Sequence, residues 1–291
     1  MKPAPFKYLA PRSRQEILDA LRRYGPDAKV LAGGQSLVPL LAMRLARPPV
    51  IIDLNRAPDL AFIRSTTTGL TIGAMTRQGA VEADAVVAAR APLLAESLRW
   101  VGHPQIRTRG TIGGSLAHAD PSAELPAVAA VLGARFVLAS MRGERLLDPG
   151  RFFLGYLTTA LEPDELLTQV RWPAQPADAG WAFLEVARRH GDFALVGVAA
   201  LVRLDSDGRC AAVRLAFTGV GSGPVRVPTA EAAVAGKRIT DATAAEASRL
   251  VQEALDPDSD IHASAAYRKH VAGVLAARAI TQAARRARNA S

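Results

Sequence analysis

The sequence predicts an α+β protein: two adjoining lobes, then a C-terminal domain of antiparallel strands with helices. Three observations predict it. Through the first half, short apolar runs of strand length alternate with capped or proline-opened helical runs. A stretch rich in Pro, Ala and Gly at 173–180 then divides the chain. Beyond it, long strand-like runs come first and only helix follows. The expected units are an N-terminal lobe at 1–57, a second lobe at 58–175 and a C-terminal domain at 178–287. A chain of 291 residues that is 49% hydrophobic can bury the cores these units need.

A short strand is expected around Phe6 to Leu9. Ser13 and Glu16 then form a capping-box pattern, Ile17, Leu18 and Leu21 supply one apolar helix face, and Gly25-Pro26 stops that helix. Next come a strand from Ala28 to Leu31, a glycine doublet, a helix from Leu37 to Ala46 with Pro39 in its first turn, the breaker Pro48-Pro49, and a strand from Val50 to Leu54. Together they make a βαβ-like lobe.

The second lobe opens with strands from Ala61 to Arg64 and Leu70 to Gly73, joined as a hairpin through Thr66 to Gly69. One helix opened by Thr76 and another from Pro92 to Trp100 follow. The segment 102–110 shows no clear periodicity. Asp120 before Pro121 predicts a capped helix from Pro121 to about Leu132. Strands return at Arg135 to Ala139, Arg145 to Leu147 and Leu166 to Trp172. In the C-terminal domain, strands are expected from Trp181 to Arg188 and from Leu195 to Leu204. A turn at Asp205 to Gly208 leads into Cys210 to Phe217. Helices from Thr229 to Ala235, from Ala244 to Ala254 and from Ser264 onward then cover one face.

Composition narrows the function classes. The formal charge is +9, but the 36 basic residues are spread along the chain and not gathered as a nucleic-acid footprint would be. They read as solvated surface, part of it a docking face. The single cysteine, Cys210, excludes a disulfide framework, a multi-cysteine zinc site and a cysteine-ligated iron–sulfur cluster inside the chain. A reducing compartment fits. The N-terminus has no apolar signal core and no apolar run approaches the roughly 20 residues of a membrane span, so a cytoplasmic protein without a transmembrane segment is expected.

The chemistry-bearing stretches are two glycine doublets. Ala32-Gly33-Gly34-Gln35-Ser36-Leu37 lies between a strand and a helix, and Thr111-Ile112-Gly113-Gly114-Ser115 repeats its form. Consecutive amides without Cβ atoms can curl around an anion, Ser36 and Ser115 add hydroxyls, and the helix after the first doublet points its positive end there. Neither doublet contains Lys or Arg, so an anion would be gripped by dipoles without chemistry being done on it. The phosphate-loop and three-glycine dinucleotide patterns are both absent. Two glycines in a tight turn remain the plain alternative.

A resemblance gives these stretches a name. Ala32 to Leu37, with Met43-Arg44-Leu45-Ala46-Arg47-Pro48 downstream, is similar to the first FAD-pyrophosphate motif of the flavoprotein (medium) subunits of molybdenum hydroxylases, the xanthine dehydrogenase family. Carbon monoxide dehydrogenase medium subunits are the nearest in kind. Gln105-Ile106-Arg107 through Asp120-Pro121 and Glu124-Leu125-Pro126-Ala127 resemble the second motif, and Arg188 to Ala194 resembles the C-terminal signature. The resemblance implies an FAD domain of the vanillyl-alcohol-oxidase type holding a noncovalent FAD, with Ala32 to Ser36 and Thr111 to Ser115 on the pyrophosphate. Glu124 would accept a hydrogen bond from the ribityl or adenosine side. Gln35 stands where some relatives have His, and Ser115 and Glu124 where many have Asn and Asp. Phe193 would lie near the isoalloxazine or else in the core.

The resemblance further implies that this chain carries no catalytic residue for the organic or gaseous substrate and no metal ligand. Electrons would pass from a molybdenum cofactor in a large molybdopterin subunit, through [2Fe-2S] clusters in a small iron–sulfur subunit, to this FAD and on to a quinone or NAD. The expected assembly is a dimer of heterotrimers. Two other classes fit the residues: a stand-alone FAD oxidoreductase of the same fold, which needs its own acid/base pair, and a non-enzymatic basic scaffold, which binds no flavin. His118 is either a flavin neighbour or a structural histidine, and Cys210 reads as buried and inert.

Overall fold

A computed structural model describes residues 2–290. Strand β1 (Lys7–Leu9) leads to α1 (Arg14–Tyr24), whose N-cap Ser13 accepts from the Glu16 amide as expected. The Glu16 carboxylate, however, takes the amide of Arg12 at 2.8 Å instead of that of Ser13. Strand β2 (Ala28–Leu31), helix α2 (Leu37–Ala42) and strand β3 (Val50–Asp53) complete the first lobe. The helix stops four residues before Ala46, because Leu45 and Ala46 donate back to the Leu40 carbonyl and Arg44 turns left-handed at φ 58°. The sheet is parallel with β3 central, in the order β1-β3-β2.

The second lobe begins with the hairpin β4 (Ile63–Thr66) and β5 (Gly69–Gly73). Helices α3 (Gln78–Ala83), α4 (Ala85–Arg90), α5 (Pro92–Leu98), α6 (Pro104–Arg107), α7 (Ile112–His118) and α8 (Glu124–Leu132) follow. Thr76 opens no helix, since its hydroxyl is bonded to the amide and carbonyl of Phe62. Helix α8 starts three residues later than Pro121, because the Asp120 carboxylate closes a turn on the Ser122 amide and does not cap the helix. Strands β6 (Arg135–Ser140) and β7 (Gly143–Leu147), the single turn α9 (Pro149–Phe152), the small hairpin β8 (Phe153–Gly155) and β9 (Thr158–Thr159), and β10 (Leu166–Pro173) end the lobe. Its main sheet is antiparallel in the order β4-β5-β10-β6-β7.

The Pro-, Ala- and Gly-rich segment that divides the chain is held in place. Gln175 is buried, its amide donates to the Arg90 carbonyl, and its side-chain oxygen accepts from the Leu93 amide. The C-terminal sheet is a meander of β11 (Ala179–Ala187), β12 (Ala194–Leu204), β13 (Cys210–Thr218) and the short β14 (Val225–Arg226). Helices α10 (Pro228–Val234), α11 (Asp241–Ala254) and α12 (Ala265–Ala290) cover one face. Alanines 276, 279, 283, 284 and 287 are buried along α12, and the small side chains let the helix lie close to the sheet. A Cβ on Gly180 would stand 1.8 Å from the Ala283 carbonyl oxygen.

The other face of this sheet is not solvated. Phe183, Ala199, Leu201 and Ala216 pack with Leu93 and Leu94 of α5 and Leu125 and Val128 of α8 in one core. Glu96 on α5 fastens the seam, accepting from the Trp181 indole at 3.1 Å and from Arg286 of α12 at 2.7 Å. Arg286 and the buried Arg268 are therefore internal clamps, although both sit on the arginine-rich helix. Among the described residues no helix is long and apolar enough to cross a membrane.

Candidate functional site

The first glycine doublet forms the turn between β2 and α2. Gly34 takes φ 77°, a left-handed conformation that suits glycine. Hydrogen bonding in the helix starts only with the Val38 amide, which donates to the Gly34 carbonyl at 3.0 Å. The five preceding amides, Gly33 to Leu37, donate to no acceptor among the described residues. Five consecutive open donors in a partly exposed turn are the arrangement that a backbone anion site needs. Ser36 occupies the N-cap position, but its hydroxyl is not used by the helix. Gln35 folds its amide onto the Gly33 carbonyl at 3.1 Å.

The second doublet is built differently. Gly113 and Gly114 lie in the first turn of α7, with Thr111 as N-cap. Their amides are already satisfied: Ile112 donates to the Thr76 carbonyl at 3.0 Å, Gly113 to Ala74 at 2.8 Å and Gly114 to Thr111 Oγ1 at 3.0 Å. The glycines serve close packing instead. A Cβ on Gly113 would stand 2.3 Å from Cβ of Ala74, and one on Gly114 would stand 3.2 Å from Cβ of Ala32 and 3.9 Å from the Gly33 amide nitrogen. Gly33 in turn lies against Arg109 and Gly110. The two motifs therefore touch, and the helix start of one forms a wall beside the open amides of the other.

A clamp absent from the sequence reading holds this junction. Arg77 donates to the Arg109 carbonyl at 2.5 Å and to Asn55 Oδ1 at 2.6 Å, and Asn55 donates to the Ala32 carbonyl at 2.9 Å. Asn55 is itself oriented by Asp53, which accepts from its backbone amide at 2.9 Å. One guanidinium thus ties both motifs together. Its own pKa is lowered by burial and by the neighbouring Arg109 charge. No local sequence pattern marks Arg77 or Asn55, because the contacts join segments that are far apart in the chain.

Glu124, in the first turn of α8, is only 6% exposed, and burial raises its carboxyl to about 7. Phe193 lies on the turn from β11 to β12 and is 68% exposed, which rules out the core alternative. That turn leans on the entry to α6: Gly191 has φ 88°, a Cβ on it would stand 2.3 Å from the His103 ring, and the His190 ring lies 6.0 Å from Trp100. The C-terminal signature is thereby brought beside the segment that leads into the second motif. Cys210 is buried, and desolvation pushes its thiol up to about 11.

Comparison with known proteins agrees with this arrangement. The family model described as the FAD binding domain in molybdopterin dehydrogenase matches residues 4–175. The model of the CO dehydrogenase flavoprotein C-terminal domain matches residues 181–283. The chain is 40% identical to the 6-hydroxypseudooxynicotine dehydrogenase complex subunit alpha of Paenarthrobacter nicotinovorans, over 99% of this chain and 97% of that protein. Among solved structures it is similar to a carbon monoxide dehydrogenase from Hydrogenophaga pseudoflava that lacks the Mo-pyranopterin moiety, with TM-score 0.95, 39% identity and 98% and 99% of the two chains covered. It is likewise similar to quinoline 2-oxidoreductase from Pseudomonas putida 86, with TM-score 0.94, 41% identity and 99% of each chain covered. With both domains matched in order and the two motifs joined as the fold requires, the chain belongs to the family of FAD-binding medium subunits of the molybdenum hydroxylases and is an oxidoreductase subunit.

Proposed function

We propose that this chain holds one noncovalent FAD and works as the electron outlet of a larger enzyme. Electrons would arrive from [2Fe-2S] clusters of a small iron–sulfur subunit, fed by a molybdenum cofactor in a large molybdopterin subunit, and leave for a quinone or NAD. The assembly is a dimer of heterotrimers in a cytoplasmic setting. The observation that carries this reading is the row of five unsatisfied amides from Gly33 to Leu37. It suits a diphosphate that must be held without being cleaved.

In this reading Ala32, Gly33, Gly34, Gln35, Ser36 and Leu37 grip the diphosphate. Thr111, Ile112, Gly113, Gly114 and Ser115 form the opposing wall. Glu124 hydrogen-bonds an uncharged part of the cofactor, and Phe193 offers its exposed ring face beside the flavin. When bound, FAD supplies the exchange between one-electron carriers and a two-electron acceptor. The chain's own task is to bind and orient it and to leave one edge accessible. With one cysteine it holds no cluster of its own and depends on a partner for electrons.

The test is purification of the chain with its native partners, followed by flavin, iron and molybdenum analysis and a titration of the separated chain with FAD. Stoichiometric flavin in this chain, with metals only in the others, is the expected result. A separated chain that stays colourless and binds no FAD would overturn the proposal.

A further inference from the structure

Arg107 is the one buried residue of the single turn α6, within the stretch that resembles the second FAD motif. Its guanidinium is engaged inside the protein. Nε donates to Glu82 Oε2 at 2.7 Å and Nη2 to Glu82 Oε1 at 3.4 Å, so the planar fork meets the carboxylate on α3 with both prongs. Nη1 donates to the Val101 carbonyl at 3.0 Å and to that of Gly102 at 3.4 Å. All three nitrogens are thus occupied, and the charge serves protein groups rather than a diphosphate.

What Arg107 holds is the segment 99–103, which joins α5 to α6 without helix or strand. Gly102 turns there with φ 49°, a conformation that suits glycine. The segment carries Trp100 and His103, and the turn between β11 and β12 rests on these two rings. The His190 ring centroid lies 6.0 Å from that of Trp100 and 6.4 Å from that of His103. Gly191 presses on His103 so closely that a Cβ would stand 2.3 Å from Cε1. Between Arg188 and Phe193 the turn's own hydrogen bonding, among the described residues, is a single bond from the Asp192 amide to the Arg189 carbonyl at 3.1 Å. The ring seat therefore fixes the turn, and Arg107 fixes the seat.

We propose that Arg107 is a positioning residue: braced by Glu82, it holds the segment 99–103 and so sets the place of the turn that carries Phe193. The second motif then acts at both of its ends, with Gly110 against Gly33 at one and His103 under Gly191 at the other. The consequence for the cofactor rests on the FAD reading, whereas the brace itself is a property of the chain alone.

Trypsin reads the brace directly, because the turn carries the exposed Arg188 and Arg189. The full-length apoprotein is digested under native conditions as wild type, Arg107→Met, Arg107→Lys and His103→Ala, and cleavage sites are followed by mass spectrometry. Cleavage after the exposed Arg209, at the far end of β12, is the internal standard. Removing the guanidinium leaves two carbonyls and a carboxylate without the donor they share, so Arg107→Met should raise cleavage after Arg188 and Arg189 at least about tenfold relative to Arg209. Arg107→Lys should rescue only part of this, since an ammonium lacks the fork that reaches both Glu82 and the carbonyls. His103→Ala takes away the seat without touching the buried ion pair and should give the same selective rise. A turn as protected in Arg107→Met or in His103→Ala as in the wild type would overturn the inference. So would a rise of equal size at Arg209, which marks a general loss of structure. Titration of the same proteins with FAD forms the separate arm: a wild type that binds no FAD would overturn the flavoprotein reading and leave the proteolysis result standing.

Discussion

Gly33 and Arg109 meet so closely that a Cβ on Gly33 would stand 2.4 Å from the Arg109 carbonyl oxygen. This contact joins the first lobe to the second at the point where the open amides begin. Gly33→Ala should therefore lower the melting temperature of the apoprotein as well as its FAD affinity, with a stability loss of about 1–3 kcal/mol from overpacking. Gly33→Asp should lose FAD altogether. Thermal melts with and without FAD check both, and a Gly33→Ala apoprotein as stable as wild type would contradict the packing role.

Ser36→Asp separates ligand binding from packing. A carboxylate at the N-cap of α2 should stabilise the apoprotein by roughly 0.3–1 kcal/mol through the helix dipole. The same charge beside the five amides should repel a diphosphate and weaken FAD binding by roughly 100-fold, since like charges about 4 Å apart near a surface cost several kcal/mol. Ser36→Asn is the neutral control. Opposite signs in the melt and in the titration are the expected signature.

Arg77→Met removes the guanidinium that bridges Asn55 and the Arg109 carbonyl. Charge-assisted hydrogen bonds are worth about 1.5–3 kcal/mol each, so FAD affinity should fall about tenfold or more. Arg77→Lys should recover only part of this, because a single ammonium does not present the planar fork that reaches both acceptors. Fluorescence titration of the three proteins measures it.

Apoprotein stability should decline on the alkaline side. The carboxyls of Glu124 and Glu185 are raised by burial to about 7 and about 9, above their values in the unfolded chain. A group raised on folding gives its full stabilisation below its unfolded pKa and loses it as pH rises through the folded one. The loss therefore runs from about pH 4.5 to about pH 9 and is steepest where the unfolded chain has already released both protons. Asp260 behaves in the opposite sense. Held down to about 2 by the amides of Ala263 and His262 and by Arg268, it contributes above the ordinary carboxylate range and loses that contribution in acid. Melting temperatures across this range should flatten on the alkaline side in the Glu185→Gln variant.

Cys210 should be silent in the native protein. Its thiol is buried and raised to about 11, so maleimide labelling at neutral pH should be negligible until denaturant is added. Rapid labelling of the native chain would contradict that placement.

The sequence by itself determined the order of most strands and of the longer helices, the Gly33-Gly34 turn, the burial of Cys210 and the family, because these depend on local periodicity, on turn residues and on motifs read within a few positions. It also located the start of α1 at Ser13, where capping is a contact between near neighbours. Only the tertiary structure decided what Gly113 and Gly114 do: they look like a second cradle in sequence, yet their amides are taken by Ala74 and Thr111, and their missing Cβ atoms make room for the other motif. The Arg77 clamp, the exposure of Phe193 and the hold of Arg107 on the segment before α6 were equally invisible. Each depends on elements brought together by sheet register and lobe packing across long stretches of chain, and no local pattern encodes such a contact.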